Sequence, residues 1–404
     1  MKPSETAHPH YWIGAIMIVT LMGTALVSPL YPLYREAWHL TPGEVTQVYV
    51  IYMLGALLSL LVFGRLADRW GYRKVIAAAL CLCLVGTCLS MLSRGFYLFS
   101  FARFLVGIAA SLTTTAGTVA LVALTPERNR SALTMMISLF IAAGFGLGPL
   151  VGGAAGQWAP EPLVTAHIPS LILLIGCFVV FIFLLPRQAA DGRLTLRDLL
   201  PRLSWAAPED SLRFGLACCL PFIVFGVFGL YASMAPMMIR DFTGLEGPMV
   251  SGGTIGAILV ISVIVQVRSR HAPPRRSALI ALALIAAGNL CLLANMTLGS
   301  LWLFLLGGFF VAVAHGLGLL ASSTVLYGVS RPDNRGALTS TYWAIGYSGA
   351  IFPLLLMGWI ADTWGMPMAV SLFCAAMAVL AIAVLVLIVA LLGRSPQYPM
   401  NRPC

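Results

Sequence analysis

Few side chains in this sequence could carry chemistry, because only 9% of its 404 residues are charged. His315 lies in the middle of a long apolar stretch, where an imidazole that titrates near neutral pH could bind and release a proton. Arg103 lies within another apolar stretch, where a cation costs at least about 2.5 kcal/mol and therefore should face a polar cavity. Glu44, Asp241 and Asp362 lie at the ends of apolar stretches, within reach of water. These groups suit proton or ion handling, and they form no catalytic cluster of acids, histidines and a nucleophile.

Each of these groups also has a purely structural explanation. A lone membrane histidine often hydrogen-bonds a neighbouring helix, and Arg103 could extend its side chain to the outer surface instead. If Arg103 and His315 do face a cavity, that cavity is neutral to positive, which favours neutral, zwitterionic or anionic substrates over organic cations. Large side chains that could line an apolar part of it, although each could equally contact lipid or core, are Tyr31, Tyr52, Tyr231, Met234 and Trp343.

The elements that position these residues are apolar stretches of about twenty residues, which recur from Tyr11 to Leu392. Each stretch can cross roughly 30 Å of hydrocarbon as a helix, and the alternating pattern of a membrane barrel is absent. With 60% hydrophobic residues, the chain is predicted to be an all-α membrane protein with twelve transmembrane helices. The predicted helices are 12–33, 45–66, 75–92, 96–123, 132–157, 164–186, 212–236, 247–267, 277–296, 300–328, 337–361 and 366–392.

The two halves of the chain resemble each other. Asn129–Thr134 reads NRSALT and Asn334–Thr339 reads NRGALT, and the same offset carries Gly144 onto Gly349. The prediction is therefore two pseudo-symmetric six-helix bundles, 1–186 and 212–404, joined by a cytoplasmic linker at 187–211 that contains a possible amphipathic helix. Two related bundles that rock about a central site would give alternating access.

The net charge of +10 reflects membrane topology rather than a nucleic-acid partner. Basic residues collect in alternate loops, at 65–74, 128–130, 187–202, 268–276, 331–335 and 394–402, whereas the intervening loops carry only Arg35, Arg94 and Arg240. By the positive-inside rule, both termini are predicted to be cytoplasmic. The first apolar stretch lacks a small-residue cleavage site, so we predict a retained helix rather than a signal peptide.

Several function classes are disfavoured by the sequence. The nine cysteines fall almost entirely in apolar stretches, and Cys81-x-Cys83 has no histidine or acidic partner, so neither a metal site nor a disulfide framework is predicted. A membrane-embedded enzyme would need clustered catalytic groups, and a channel would need repeated polar rings. The phosphate-binding loop that direct ATP drive requires is also absent. No catalytic residue, cofactor or metal is assigned.

The most specific local motif follows the second predicted helix and reads Gly64-Arg65-Leu66-Ala67-Asp68-Arg69-Trp70-Gly71-Tyr72-Arg73-Lys74. It resembles the G-x-L-a-D-r-x-G-r-[RK] loop of the major facilitator superfamily, with Trp70 and Tyr72 as the two departures. The resemblance implies a conformational latch made of Gly64, Asp68, Arg69, Gly71 and Arg73. In that family the acid faces the start of the eleventh helix, here near 335–337, where unpaired N–H groups favour an anion. The alternative is that the arginines only set topology.

Three further motifs resemble those of the twelve-span drug:proton antiporters of this superfamily. The fifth predicted helix matches G-x-x-x-G-P-x-x-G-G through Gly144, Gly148, Pro149, Gly152 and Gly153, a pattern associated with exporters. Arg103 and Gly107 match the fourth-helix motif R-x-x-x-G, and Gly23, Pro29 and Pro32 match the first-helix motif. Glycines at this density let helix backbones touch, although generic helix packing uses them as well.

The sequence therefore predicts a secondary transporter that exports a small amphipathic drug or metabolite, with the proton gradient as its energy source and no cofactor. The alternative is a symporter or a facilitated uptake carrier for a neutral or anionic metabolite. We expect a monomer in a bacterial inner membrane, with the lipid bilayer and a small-molecule substrate as its partners and no nucleic acid. The first helix has no acidic residue, so proton coupling depends on Arg103, His315, Glu44 or Asp241.

Overall fold

The computed structural model describes residues 9–64, 66–125, 130–184, 201, 203–331 and 334–392. These residues form α-helices joined by short loops, and one 3-10 helix lies at Ser28–Leu30. The helices are α1 Pro9–Ala25, α2 Tyr31–Trp38, α3 Pro42–Phe63, α4 Leu66–Trp70, α5 Tyr72–Leu92, α6 Phe96–Leu124, α7 Arg130–Trp158, α8 Pro162–Thr165, α9 Ile168–Leu184, α10 Ser211–Ser233, α11 Ala235–Thr243, α12 Pro248–Arg268, α13 Pro274–Leu298, α14 Leu301–Val329, α15 Arg335–Trp364 and α16 Met366–Leu392.

Within the described part of the chain, 12 helical stretches are long and apolar enough to cross a membrane. The predicted all-α fold with twelve spans is therefore confirmed. The shortest of these stretches has 21 residues and the longest has 30, so each matches or exceeds the length that the hydrocarbon core requires.

Three of the predicted helices are broken in the structure, and prolines explain the breaks. The first stretch ends α1 at Ala25, turns through the 3-10 helix and continues as α2, because Pro29 and Pro32 cannot donate a backbone hydrogen bond. The seventh stretch breaks at Met234, two residues before Pro236. The sixth stretch breaks at 166–167, between α8 and α9, two residues before Pro169. Each break leaves helix-terminal carbonyl or N–H groups that need other partners.

The chain divides into two compact units. Unit 1 comprises Met1–Trp38, Ile51–Pro201 and Gly247–Gly256, and unit 2 comprises His39–Val50, Arg202–Glu246 and Ala257–Cys404. The starts of α3 and α12 thus belong to a different unit from the rest of their helices. Most of the predicted linker at 187–211, with its possible amphipathic helix, lies outside the described residues, so the predicted division at that linker stays a prediction.

Each unit repeats the same pattern of neighbouring helices. In unit 1, α1 packs against α7, α5 packs against α6, and α9 packs against α5. In unit 2, the corresponding pairs are α10 with α15, α13 with α14, and α16 with α13. Counted as membrane spans, the first span of each unit packs on the fifth, and the third packs on the fourth.

The glycines that the sequence repeat aligned occupy matching contacts. A Cβ at Gly144 would lie 2.8 Å from the carbonyl oxygen of Ile18 on α1, and a Cβ at Gly349 would collide with the carbonyl oxygen of Phe222 on α10. In both units a glycine of the fifth helix therefore lets the backbone of the first helix approach closely.

Candidate functional site

The predicted latch segment forms the short helix α4 and the turn before α5. Gly71 has a φ of 82°, a backbone conformation that favours glycine, so this position fixes the direction in which α5 leaves the turn. Asp68 and Arg69 lie on α4, and Gly64 follows the last residue of α3. The Asp68 side chain and all of Arg65 lie outside the described residues. The contact between Asp68 and the start of α15 therefore stays a prediction.

Arg73, the last residue assigned to the latch, binds the final turn of α9. Its guanidinium lies 4.9 Å from the centroid of the Phe181 ring, and Nη2 donates a 3.4 Å hydrogen bond to the carbonyl oxygen of Ile182. A cation at a helix C-terminus offsets the negative end of the helix dipole. Arg73 thus ties the start of α5 to the end of α9 within unit 1, which is a role that the motif alone did not indicate.

The glycine motif of α7 brings backbones together on two sides. A Cβ at Gly148 would lie 2.5 Å from the carbonyl oxygen of Met22, and one at Gly152 would collide with the carbonyl oxygen of Leu26, so α1 lies directly against this face. On the other side, a Cβ at Gly153 would lie 2.8 Å from the carbonyl oxygen of Pro248 at the start of α12. The motif residues therefore act as contact surfaces between helices within unit 1.

Arg103 is buried inside unit 1, with 2% of its surface exposed. Its Nη1 donates a 2.9 Å hydrogen bond to the carbonyl oxygen of Thr24, in the last turn of α1, and its guanidinium lies 4.9 Å from the centroid of the Tyr52 ring. Extension to the outer surface, which the sequence left open, does not occur in this structure. The break after α1 and the buried cation belong together, because the arginine satisfies a carbonyl at the helix end and complements its dipole.

A tyrosine–histidine pair that sequence analysis did not single out lies in the same unit. The Tyr34 hydroxyl on α2 is 3.0 Å from Nε2 of His167, the residue at the break before α9, and 3.4 Å from the carbonyl oxygen of Leu163. Both side chains are buried, and Phe99 packs 4.3 Å from the Tyr34 ring. Arg103 interacts electrostatically with Tyr34 and with His167, so the pair and the buried cation form one polar cluster.

His315 lies in a different polar environment, inside unit 2. Its Nδ1 is 2.8 Å from the Ser262 hydroxyl on α12, and the ring of Phe228 on α10 lies 5.3 Å from the imidazole. The ring of Phe225, also on α10, lies 6.4 Å from the imidazole and stacks on the Trp343 ring at 5.8 Å with an interplanar angle of 9°. Both of these aromatic residues are half-buried, so they offer ring surface beside a buried imidazole.

Tyr347 completes this aromatic group, which we call the aromatic platform: Phe225, Phe228, Trp343 and Tyr347. The Tyr347 ring lies 5.7 Å from Phe225 and 6.2 Å from Trp343. Rings at such distances give a planar ligand several faces and edges to pack against. The platform and His315 come from α10, α14 and α15, three helices that contact one another within unit 2.

The other residues proposed to line a substrate site divide into two groups. Tyr31 and Tyr52 lie beside Arg103 in unit 1, whereas Tyr231 and Met234 are fully buried in unit 2. Tyr231 packs against Phe304 at 6.0 Å, and the Met234 sulfur is 3.7 Å from the Thr46 hydroxyl. These contacts give Tyr231 and Met234 packing roles in this structure, and only Trp343 joins the platform.

Of the acidic residues proposed for proton coupling, Glu44 caps a helix and the side chain of Asp241 is not described. Glu44 and Thr41 form a capping box at the start of α3, with Thr41 N donating to Glu44 Oε2 at 2.9 Å and Glu44 N donating to Thr41 Oγ1 at 3.1 Å. The cap gives Glu44 a structural role, and its role in proton coupling stays a prediction. Asp241 lies on α11, and its side chain lies outside the described residues.

Asp362, near the end of α15, completes the cap of α3 within unit 2. It accepts hydrogen bonds from Gly43 N at 2.8 Å and from the Thr41 hydroxyl at 3.0 Å. In unit 1, the repeat-equivalent residue Gln157 near the end of α7 lies against Gly247, which precedes α12. The ends of both fifth helices thus present a polar side chain to the start of another span, and only the one in unit 2 is charged.

Replacing Asp362 with alanine is expected to lower the Tm of the purified protein by about 1 to 2 °C, because losing a cap costs on the order of 1 kcal/mol. Thermal unfolding in detergent measures this. The matched control is Thr363→Ala, whose hydroxyl bonds only to carbonyls of its own helix in the contacts described here. An unchanged Tm for Asp362→Ala would contradict the cap.

Sequence reasoning missed Tyr34, His167 and most of the aromatic platform. Tyr34 and His167 are 133 residues apart, and Trp343 is far along the chain from Phe225, so no local spacing links them. Pro32 and Pro169 could have indicated the breaks beside Tyr34 and His167, but nothing in the sequence pairs the two residues. The described cysteines are free, and no group of three or more histidine, cysteine, aspartate or glutamate side chains in the described ranges could hold a metal ion.

Comparison with known proteins gives a consistent family assignment. Residues 13–274 match the sequence profile of the Major Facilitator Superfamily. Multidrug resistance protein 2 of Bacillus subtilis is 26% identical over 160 residues, which cover 39% of this chain and 40% of that protein. The gallate transporter of Pseudomonas putida is 28% identical over 416 aligned positions, which cover 88% of this chain and 87% of that protein.

Solved structures show the same fold. A bacterial homologue of the human lysosomal transporter Spinster, in an inward-facing and occupied conformation, superposes with a TM-score of 0.71 at 14% identity, covering 96% of this chain and 97% of that one. The human organic anion transporter TETRAN superposes with a TM-score of 0.62 at 17% identity, covering 93% of this chain and 98% of that one. At these identities the likeness concerns the fold alone.

Proposed function

This chain belongs to the Major Facilitator Superfamily, a family of transporters rather than enzymes, and from that premise we propose that it exports a small aromatic, amphipathic molecule in exchange for protons. It is a multi-pass membrane protein with twelve spans. Its substrate binds to the aromatic platform of unit 2, and alternating access carries the substrate across the bilayer. We place it in a bacterial inner membrane, with both termini in the cytoplasm, because basic residues concentrate in alternate loops.

The observation that carries the direction of transport is the packing of α7. The glycine–proline motif that resembles the antiporter motif is used throughout its length: Gly148 and Gly152 lie against α1, and Gly153 lies against α12. Backbone contacts of this kind cannot form if side chains replace the glycines. The Bacillus subtilis relative, whose name denotes multidrug resistance, supports export as well.

The aromatic platform supports the class of substrate. Stacked and edge-on aromatic rings are worth about 0.5 to 1.5 kcal/mol beyond the area that they bury, so Phe225 and Trp343 favour a planar ring. His315, held by Ser262, places one hydrogen-bonding group within reach of the same surface. A ring that carries a polar substituent fits this combination better than an aliphatic chain or a sugar does.

A second candidate function is proton-coupled uptake of a small aromatic carboxylate. The gallate transporter of Pseudomonas putida, which aligns over most of this chain, favours it, because gallate is a benzoic acid with three hydroxyl groups. The two candidate functions thus share an aromatic substrate. They differ in the direction in which the proton gradient moves this substrate across the membrane.

The test is transport of gallate and of its neutral amide by membrane vesicles with an imposed proton gradient. Export predicts accumulation in inverted vesicles with an acidic interior, and uptake predicts accumulation in right-side-out vesicles with an acidic exterior. Vesicles without the protein correct for passive diffusion, and glucose serves as a non-aromatic probe. Transport of neither aromatic probe in either orientation would contradict the proposed function.

Trp343→Ala is expected to raise the KM for the transported aromatic probe about fivefold, because one stacking contact is lost. The maximal rate should change less, because Trp343 binds the ligand and takes no part in the helix contacts that change during transport. Trp359→Ala is the matched control, because Trp359 lies on the same helix but is 56% exposed and away from the platform. Equal KM values for the two variants would contradict binding at the platform.

A further inference from the structure

His167 is a buried ionisable side chain that the proposed substrate site does not use. It lies in the break between α8 and α9 with 2% of its surface exposed, and its Nε2 is 3.0 Å from the Tyr34 hydroxyl. Breaks of this kind are positions where a span can change its backbone conformation. A histidine that serves only to join helices needs a single partner, so the surroundings of His167 decide what it can do.

The hydrogen bonds around His167 fit both of its protonation states. When the imidazole is neutral and Nε2 carries no hydrogen, the Tyr34 hydroxyl can donate a hydrogen bond to that nitrogen. When Nε2 carries a proton, it can donate to the Tyr34 oxygen while the tyrosine donates to the carbonyl oxygen of Leu163, which lies 3.4 Å away. Only the hydroxyl hydrogen has to rotate, so a proton can arrive or leave without moving heavy atoms.

The charged neighbour of this pair links protonation to helix contacts. Arg103 interacts electrostatically with His167 and with Tyr34, and its Nη1 holds the end of α1 through the carbonyl oxygen of Thr24. A proton on His167 would place a second positive charge near Arg103, and the two charges repel strongly in a dry interior. Proton binding would therefore weaken the contact between α6 and the broken first span.

The other ionisable groups near His167 are consistent with this role. Tyr34 faces it from α2, and Arg103 interacts with it from α6. Of the helices that pack on α9, α8 carries no ionisable residue, α1 carries His10 and Tyr11 at its start, and α5 carries Tyr72, Arg73, Lys74, Cys81, Cys83 and Cys88. No described residue of these three helices is acidic, so no carboxylate in them fixes a permanent proton on His167.

We propose that His167, hydrogen-bonded to Tyr34, is a proton-binding site of the transport cycle. This proposal rests on the proposed function, because it supplies the residue through which the proton gradient is used. Proton arrival at Nε2 repels Arg103, loosens its hold on the end of α1 and favours the conformational change. Release of the proton on the other side restores the contact.

The first test separates proton coupling from substrate binding in proteoliposomes loaded with gallate. His167→Gln is expected to reduce gradient-driven gallate transport at least tenfold, while gallate exchange at equal pH on both sides stays within about twofold of the wild type. Tyr34→Phe should reduce gradient-driven transport less, because it removes only the relay hydroxyl. His271→Gln, which changes an exposed histidine, is the matched control and should behave like the wild type.

Each other outcome decides against the proposal. A His167→Gln variant that keeps gradient-driven transport overturns it and leaves the proposed function standing. Loss of exchange as well as gradient-driven transport also overturns it, because His167 would then be needed for binding or folding rather than for protons. A wild-type protein that moves no aromatic probe contradicts the proposed function instead, and a measurement without substrate then decides the inference.

That measurement is nuclear magnetic resonance of the purified protein with labelled histidine. The chain has 6 histidines, and the signal missing from His167→Gln identifies His167. We expect this signal to shift as the pH is lowered and its midpoint to move in Tyr34→Phe. A His167 signal that stays constant down to the lowest pH at which the protein remains folded would overturn the proposal.

Discussion

Gly252→Ala is expected to reduce transport more than fivefold and to lower the Tm by several degrees. A Cβ at this position would collide with the carbonyl oxygen of Pro149 and lie 3.2 Å from the Cα of Gly153, and backbone atoms cannot move aside as a flexible side chain can. Overpacking of this kind costs about 1 to 3 kcal/mol. Vesicle transport and thermal unfolding in detergent measure the two effects.

The neighbouring residue provides the control for this prediction. Gly253 lies on the same helix, and a Cβ there would meet no atom within 4 Å. Because alanine favours helix more than glycine does, Gly253→Ala should leave transport unchanged and stability equal or slightly higher. If both variants behaved alike, the contact between α7 and the start of α12 would have no special importance.

Arg103→Met is expected to reduce transport more than about tenfold, which corresponds to about 1.4 kcal/mol, while leaving the Tm equal or raising it. The cation is 2% exposed and faces no acidic partner among the described residues that surround it, so burying it costs free energy that methionine does not incur. Methionine also fills a similar volume. The expected combination of lost transport and retained stability indicates a functional charge rather than a structural one.

Two variants sharpen this result. Arg103→Lys should also lose most transport, because one ammonium group cannot both bond the Thr24 carbonyl and stack over Tyr52 as the planar guanidinium does. Arg94→Met removes an exposed arginine from the loop before α6 and should transport like the wild type. A Tm that falls in parallel with transport in Arg103→Met would show that the arginine mainly holds the fold together.

The twelve spans were predictable because membrane solvation acts on every residue of a span. A stretch of about twenty apolar residues in lipid has only the helix to satisfy its backbone, whatever its neighbours are. The internal repeat was predictable for a related reason, because the match of Gly144 with Gly349 records a backbone contact that only glycine permits. The structure places both glycines against the first helix of their unit.

Interruptions of spans were less predictable than the spans themselves. Pro29 and Pro32 indicate a weak point in the first span, yet hydropathy runs through it without change. The break before α9 lies two residues before Pro169, which cannot donate a hydrogen bond to the carbonyl oxygen at the end of α8. Because the breaks position Tyr34, His167 and the carbonyl oxygen of Thr24, the polar cluster around Arg103 could not be assembled from hydropathy.

The sequence by itself determined that this protein is a helical membrane transporter, since composition, loop charges and glycine motifs each act locally and leave a mark in the chain. Only the tertiary structure decided which polar groups meet. It pairs His167 with Tyr34, buries Arg103 against the end of α1 and places two rings of α10 beside His315. Contacts between residues that are distant in the sequence depend on how helices pack, and helix packing leaves no local spacing in the sequence.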